Sequence, residues 1–201
     1  MRLAGIFNAI VVCAVPKGWF CFKKSTALYL FLGLGFPALL ASLAFAENSV
    51  SLEPMAIDSK WELQDSAKIP QTGAEIALAT FQSTGWYPAT VPGTALTSLV
   101  NDGIYPEPLY GENNRPDKIP ESLCRTPYWY RTVFTVPSAY AGKRIWLNFE
   151  GINYAAEVWV NGKDIGAIKG AFARGVFDVS FVVTPGKQAV LAVLVSPQPH
   201  P

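Results

Sequence analysis

From Ser59 onward the chain alternates. In SKWELQDS (59–66), Trp61 and Leu63 share one face while Lys60, Glu62 and Gln64 take the other, the period of a half-buried strand. GAEIALATF (73–81) alternates at Ile76 and Leu78 and is read as a further strand. WYPATVP (86–92) is held extended by Pro88 and Pro92, which restrict the residues before them. GTALTSLVNDG (93–103) breaks the pattern: Thr94 can cap a helix, Leu96, Leu99 and Val100 fall on one face, and Gly103 can end it. Tyr105 to Pro127 is crowded with proline, glycine and asparagine and reads as one long ordered loop, a length usually tied to function or packing.

Strands then run to the end. YWYRTVFTV (128–136) alternates aromatic and polar positions, and KRIWLNFE (143–150) puts Ile145, Leu147 and Phe149 together. AAEVWV (155–160) enters Asn161-Gly162, a strong two-residue hairpin signal, and the chain returns over 164–168. VFDVSFVV (176–183) and QAVLAVLVS (188–196) follow, joined by Pro185-Gly186. Turn signals about 8–12 residues apart, with one short helix, predict an all-β fold: a β-sandwich of jelly-roll type.

Before Ser59 the pattern is different. Residues 1–46 hold Arg2, Lys17, Lys23 and Lys24 and no acid, whereas all 15 acids lie after Ala46. Lys23-Lys24, the apolar run 27–43 and Ala44-Phe45-Ala46 spell a leader with cleavage after Ala46. Residues 1–46 are therefore expected to be a signal segment of uncertain true start, 47–57 an extended tail, and 58–201 the folded domain. Export to the periplasm or outside the cell follows, and the membrane is met only through the leader. The alternative is an uncleaved leader that anchors the chain, since 1–22 is a second apolar stretch. Cys13 and Cys21 fall in the leader, so Cys124 remains alone and is read as an ordinary packed cysteine.

Candidate chemistry is sparse. His200 is the one histidine, which argues against a Ser-His-Asp or Cys-His site. HExxH, CxxC and phosphate-loop patterns do not occur, so neither a metal nor a cofactor is expected. No basic block suits a nucleic acid. Glu62, Glu157 and Asp178 sit among apolar strand neighbours and are read as solvent-facing. Aromatic side chains are plentiful. Sugar rings stack on such faces, but burial in a core accounts for them equally, and composition alone favours burial.

The ordered set WEL (61–63), TGWYPATVPGTALTSLVNDGIYPEPLYGENN (84–114), YWYRTVF (128–134), FEGINYAAEVWVNGKDIG (149–166), GAFARGVFDVS (170–180) and LAVLVSPQPHP (191–201) resembles the N-terminal, galactose-binding-like jelly-roll domain of family 2 glycoside hydrolases. The nearest branch is that of exo-β-glucosaminidases, β-mannosidases and mannosylglycoprotein endo-β-mannosidases. The resemblance covers nearly all of 58–201. It departs at Leu109, where the family's loop usually carries an aromatic ring.

The resemblance implies an accessory domain of an enzyme that cleaves β-glycosides with retention, using two glutamates of a barrel. No residue here matches that pair, so this chain alone is expected to be inactive, its catalytic residues none. It also implies immunoglobulin-like and barrel domains as partners, with the chain stopping before them. The long loop would face the barrel, making Glu107, Tyr110, Glu112 and Asn113 candidates to border a substrate cleft. Trp61, Trp129, Tyr154 and Trp159 are assigned to structure or interface, Trp159 being able to face either side of its sheet. Two other readings stand beside this one: a free-standing carbohydrate-binding module and a non-enzymatic scaffold.

Overall fold

The computed structural model describes residues 10–15, 53–58 and 60–199. Among them the strands are β1 (Ile10–Val15), β2 (Met55–Ala56), β3 (Trp61–Asp65), β4 (Tyr87–Ala89) and β5 (Tyr128–Thr135). They continue with β6 (Arg144–Ile152), β7 (Ala155–Val160), β8 (Lys163–Lys169), β9 (Ala173–Asp178) and β10 (Gln188–Ser196). Two short α-helices, α1 (Gly73–Ile76) and α2 (Ala95–Asn101), lie between β3 and β5.

The strands form two antiparallel sheets, ordered β2-β1-β6-β9 and β4-β3-β5-β10-β7-β8. Each sheet turns alternate residues inward, as the pleat dictates. Ile145, Leu147 and Phe149 of β6 meet Trp61, Leu63 and Tyr130 of β3 and β5 in one buried apolar core. The expected all-β sandwich is the observed fold.

The larger sheet is buried on both faces. On its outer side Ile76 and Ala77, at the end of α1, pack on Trp129 and Ala192, with Phe81, Trp86 and Trp159 around them. That second core is why β10 reads AVLAVLV without alternation: Val190 and Ala192 are as buried as Leu191 and Val193.

It also corrects the strand expected over 73–81. Thr72 opens a helix instead: its hydroxyl accepts from the Glu75 N–H, and the Glu75 carboxylate returns to the Thr72 N–H at 2.7 Å. Ile76 is fully buried while Leu78 is 43% exposed, so the two do not share a strand face. The fold thus has a second short helix that the apolar spacing hid. A strand expected over 176–183 is likewise shorter. β9 ends at Asp178, and Val179 and Val183 go inward together through a turn in which the Val183 N–H bonds the Val179 carbonyl.

Helix α2 forms as expected. Thr94 Oγ1 caps the Thr97 N–H at 2.9 Å, and the Ile104 N–H closes the other end on the Leu99 carbonyl at 2.9 Å. The β7–β8 hairpin also forms as expected: Asn161 and Gly162 both have positive φ, 49° and 79°, the geometry of a tight primed turn.

The segment 1–46 was expected to stand apart from the domain. Its residues Ile10–Val15 are nevertheless a strand between β2 and β6. The tail 47–57 contributes β2 and a buried Ile57. Lys23-Lys24, the apolar run 27–43 and Ala46 lie outside the described residues.

Candidate functional site

The loop that follows α2 carries the cleft-border candidates. Its start is fixed by the α2 cap and by Tyr105, which packs on the main core. Its far end is fixed by Ile119 and Leu123, both buried in the same core. Between these anchors the loop is hydrogen-bonded within itself through Glu107 and Asn113. The Glu107 carbonyl accepts from the Tyr110 N–H at 3.2 Å and from Asn113 Nδ2 at 3.0 Å. The Asn113 N–H in turn bonds the Tyr110 carbonyl at 3.3 Å, and Glu107 Oε1 accepts from the Leu109 N–H at 3.3 Å. Glu112 pairs with Arg115.

The four candidates are therefore brought together on one self-bonded tip. Tyr110 is 78% exposed and Leu109 89%, so neither is held by the domain's own core. The tip carries one exposed ring together with two carboxylates, an amide and a guanidinium, groups of the kind that meet sugar C–H faces and hydroxyls. Arg115 was not singled out from the sequence, although its place three residues after Glu112 is a spacing at which charges meet on a turn.

The four structural aromatics sit elsewhere. Trp61 is buried between the sheets, its indole N–H donating to the Ile57 carbonyl at 2.9 Å. Trp129 and Trp159 face outward from the larger sheet and touch each other, ring centroids 5.3 Å apart, beneath α1. A side chain at Gly73 would collide with the Trp159 ring, so helix and ring fit only because that position is glycine. Tyr154 anchors a strand link: its N–H bonds the Ser196 carbonyl at 3.1 Å and its own carbonyl accepts from Gly170 at 2.8 Å. These placements put the Trp129–Trp159 pair in packing.

Glu157 is exposed, as expected, but Glu62 and Asp178 are only half exposed and each meets an arginine. Glu62 lies 3.7 Å from Arg131, whose guanidinium also donates to the carbonyls of Ile76 and Leu78 and lies over Phe81. Arg131 is 5% exposed, and burial lowers its pKa while Glu62 opposes that shift. It is a tie rod between β5 and the α1 segment. Alternation alone gave no sign of it. Asp178 caps the turn after β9, accepting from the Ser180 N–H and hydroxyl.

Among the described residues no cluster of histidine, cysteine and carboxylates is arranged to hold a metal. No described helix is long and apolar enough to cross a membrane.

Comparison with known proteins gives one consistent result. Residues 61–200 match the model of the glycosyl hydrolase 2 galactose-binding domain-like family. The chain is 35% identical over 133 residues to an exo-beta-D-glucosaminidase of Streptomyces avermitilis, covering 65% of this chain and 14% of that protein. It is 33% identical over 150 residues to a mannosylglycoprotein endo-beta-mannosidase of Lilium longiflorum, covering 72% of this chain and 16% of that one. Among solved structures, the exo-chitosanase of Amycolatopsis orientalis superposes with a TM-score of 0.60 at 29% identity, over 69% of this chain and 16% of that one. The chain thus spans only 14–16% of the length of these relatives.

Proposed function

The chain belongs to the galactose-binding-like domain family of the family 2 glycosyl hydrolases, and from that premise we propose that it is an accessory carbohydrate-facing domain of an exported glycosidase acting on β-glucosaminide or β-mannoside bonds. The observation that carries this reading is the loop tip. A ring that the domain leaves open, set among Glu107, Glu112, Asn113 and Arg115, is poorly suited to a core and well suited to the border of a sugar cleft. The relatives named as a glucosaminidase and an endo-mannosidase supply the substrate class.

In this role the domain does not break the glycosidic bond. It offers the tip to a bound chain of sugars and its apolar side chains to the remainder of the enzyme. Immunoglobulin-like and barrel domains are the partners this implies. Export through the leader, with cleavage after Ala46, belongs to the same proposal and is supported by the charge asymmetry about that position.

The test is a chemical-shift titration of the chain with chitosan and manno-oligosaccharides. Shifts confined to 105–115, and lost in Tyr110→Ala, are expected. Saturating shifts centred on another surface, or none with either sugar, would overturn the loop as a sugar border. No release of nitrophenol from aryl β-glucosaminide or β-mannoside is expected from the chain alone.

A further inference from the structure

Strand β1 holds a position that its place in the sequence does not explain. It lies between β2 and β6, antiparallel to both, and its six residues pair in unbroken register with Phe149 back to Arg144. Ile10 and Val12 turn into the sandwich and are 1% exposed. Val12 belongs to the main core together with Ile145, Leu147, Val160 and Val183.

Side chains of the domain hold the strand's backbone. The Tyr140 hydroxyl lies 3.2 Å from the Val12 carbonyl and 2.9 Å from that of Glu53. Asn148 Nδ2 donates to the Val11 carbonyl at 3.2 Å and reaches Cys13 Sγ at 3.2 Å. The family match over 61–200 includes β6, Tyr140 and Asn148 but neither β1 nor β2. The β6 side of the receiving surface therefore belongs to the family-matched body of the domain, its β2 side to the segment just before it, while its occupant comes from the apolar, acid-free start of the chain.

We propose that the slot between β2 and β6 is a strand-acceptor site, filled by Ile10–Val15 and held through the sheet rather than through the intervening polypeptide. The chemistry is strand addition: main-chain hydrogen bonds on both edges supply adhesion, and inward apolar side chains at every second position supply selectivity. A chain that folds intact carries the site closed. A chain cut after Ala46 before folding carries it open, with Ile145 and Leu147 uncovered and ready for an apolar strand supplied in trans.

The test uses the full chain with a protease site inserted between Ala46 and Glu47, folded first and cut afterwards. Fragment 1–46 is expected to co-elute with the remainder in native buffer and to part from it in denaturant. Val12→Asp is expected to release the fragment, whereas Val11→Thr, on the outer face, is expected to retain it. In the uncut chain, amides of 10–15 are expected to exchange about a hundredfold or more slowly than in a free peptide. Three results would overturn the proposal: free-peptide exchange at 10–15, release of the native-sequence fragment while the remainder keeps its unfolding transition, or retention of the Val12→Asp fragment. The last would mean that another part of 1–46 holds it. Should cutting cause precipitation, the exchange measurement on the uncut chain decides.

Discussion

Trp159 shows how one residue couples two layers. It stands on the outer face of β7, touches Trp129 and receives α1 at Gly73. Trp159→Ala should cost about 3 kcal/mol, the low end for a packed tryptophan because the ring keeps some exposure. Chemical denaturation checks this, and a change near zero would free the ring for a surface role. Gly73→Ala should also destabilise, by forcing the new methyl into the same ring. Tyr130 sets a second expectation. Burial raises its phenol above the usual 10.0, so the folded state holds the proton more tightly than the unfolded chain. Its contribution to stability is whole below pH 10.0 and falls away as pH rises toward the folded value. Tyr130→Phe should flatten the alkaline limb of a stability–pH curve, with Tyr128, also raised, accounting for what remains.

At the scale of elements, the α2 cap and the tight hairpin were legible because each needs only neighbouring residues: Thr94 with Thr97, Asn161 with Gly162. Helix α1 was not read from the alternation of Ile76 and Leu78, although Thr72 and Glu75 spell its cap in the sequence. That cap is testable by pH. The Thr72 backbone N–H, then its hydroxyl, hold the Glu75 carboxylate below its usual 4.5. A lowered carboxyl contributes stability that is whole above pH 4.5 and is lost as pH falls through the folded value. Exchange of the Ile76 and Ala77 amides should therefore quicken on acidification beyond the intrinsic change. Glu75→Gln, which can still bond the Thr72 N–H, should remove that extra dependence. Arg131 escaped the sequence for a different reason. Its partners are carbonyls of Ile76 and Leu78, some 55 and 53 positions away, and no local pattern encodes them. Arg131→Leu should take the guanidinium donor from both carbonyls, of which Leu78 keeps the Phe81 N–H, cost roughly 2 kcal/mol and speed proteolysis of 77–86.

For the whole molecule, alternation and turn spacing were enough for the two-sheet sandwich, because inward faces such as Leu147 and Leu63 are spelled residue by residue. The outer core was not legible: it depends on what folds over Trp129 and Ala192, which is decided far along the chain. The loop tip was legible as a loop, from its proline, glycine and asparagine. Glu107, Tyr110, Glu112 and Asn113 share that tip, but how far it stands in the open was beyond pattern reading. That exposure predicts concentration-dependent self-association through Leu109 and Tyr110, read by sedimentation. Leu109→Asp with Tyr110→Asp should shift the chain toward monomer. No shift would move the contact to another patch, such as Phe181.

The placement of β1 has a consequence in time. Cys13 and Asn148 touch although 135 residues separate them. A ribosome adding about 5–20 residues per second needs on the order of ten seconds to make the second after the first. For that interval IVVCAV is an apolar hexapeptide whose β6 edge is bare, with only the short β2 made early enough to pair it. Whatever meets nascent chains first, whether a chaperone, a translocation channel or a lipid surface, has that head start over β6. The fate of the strand is thus a race between synthesis and capture, and slowing translation between 16 and 148 should tilt it toward capture.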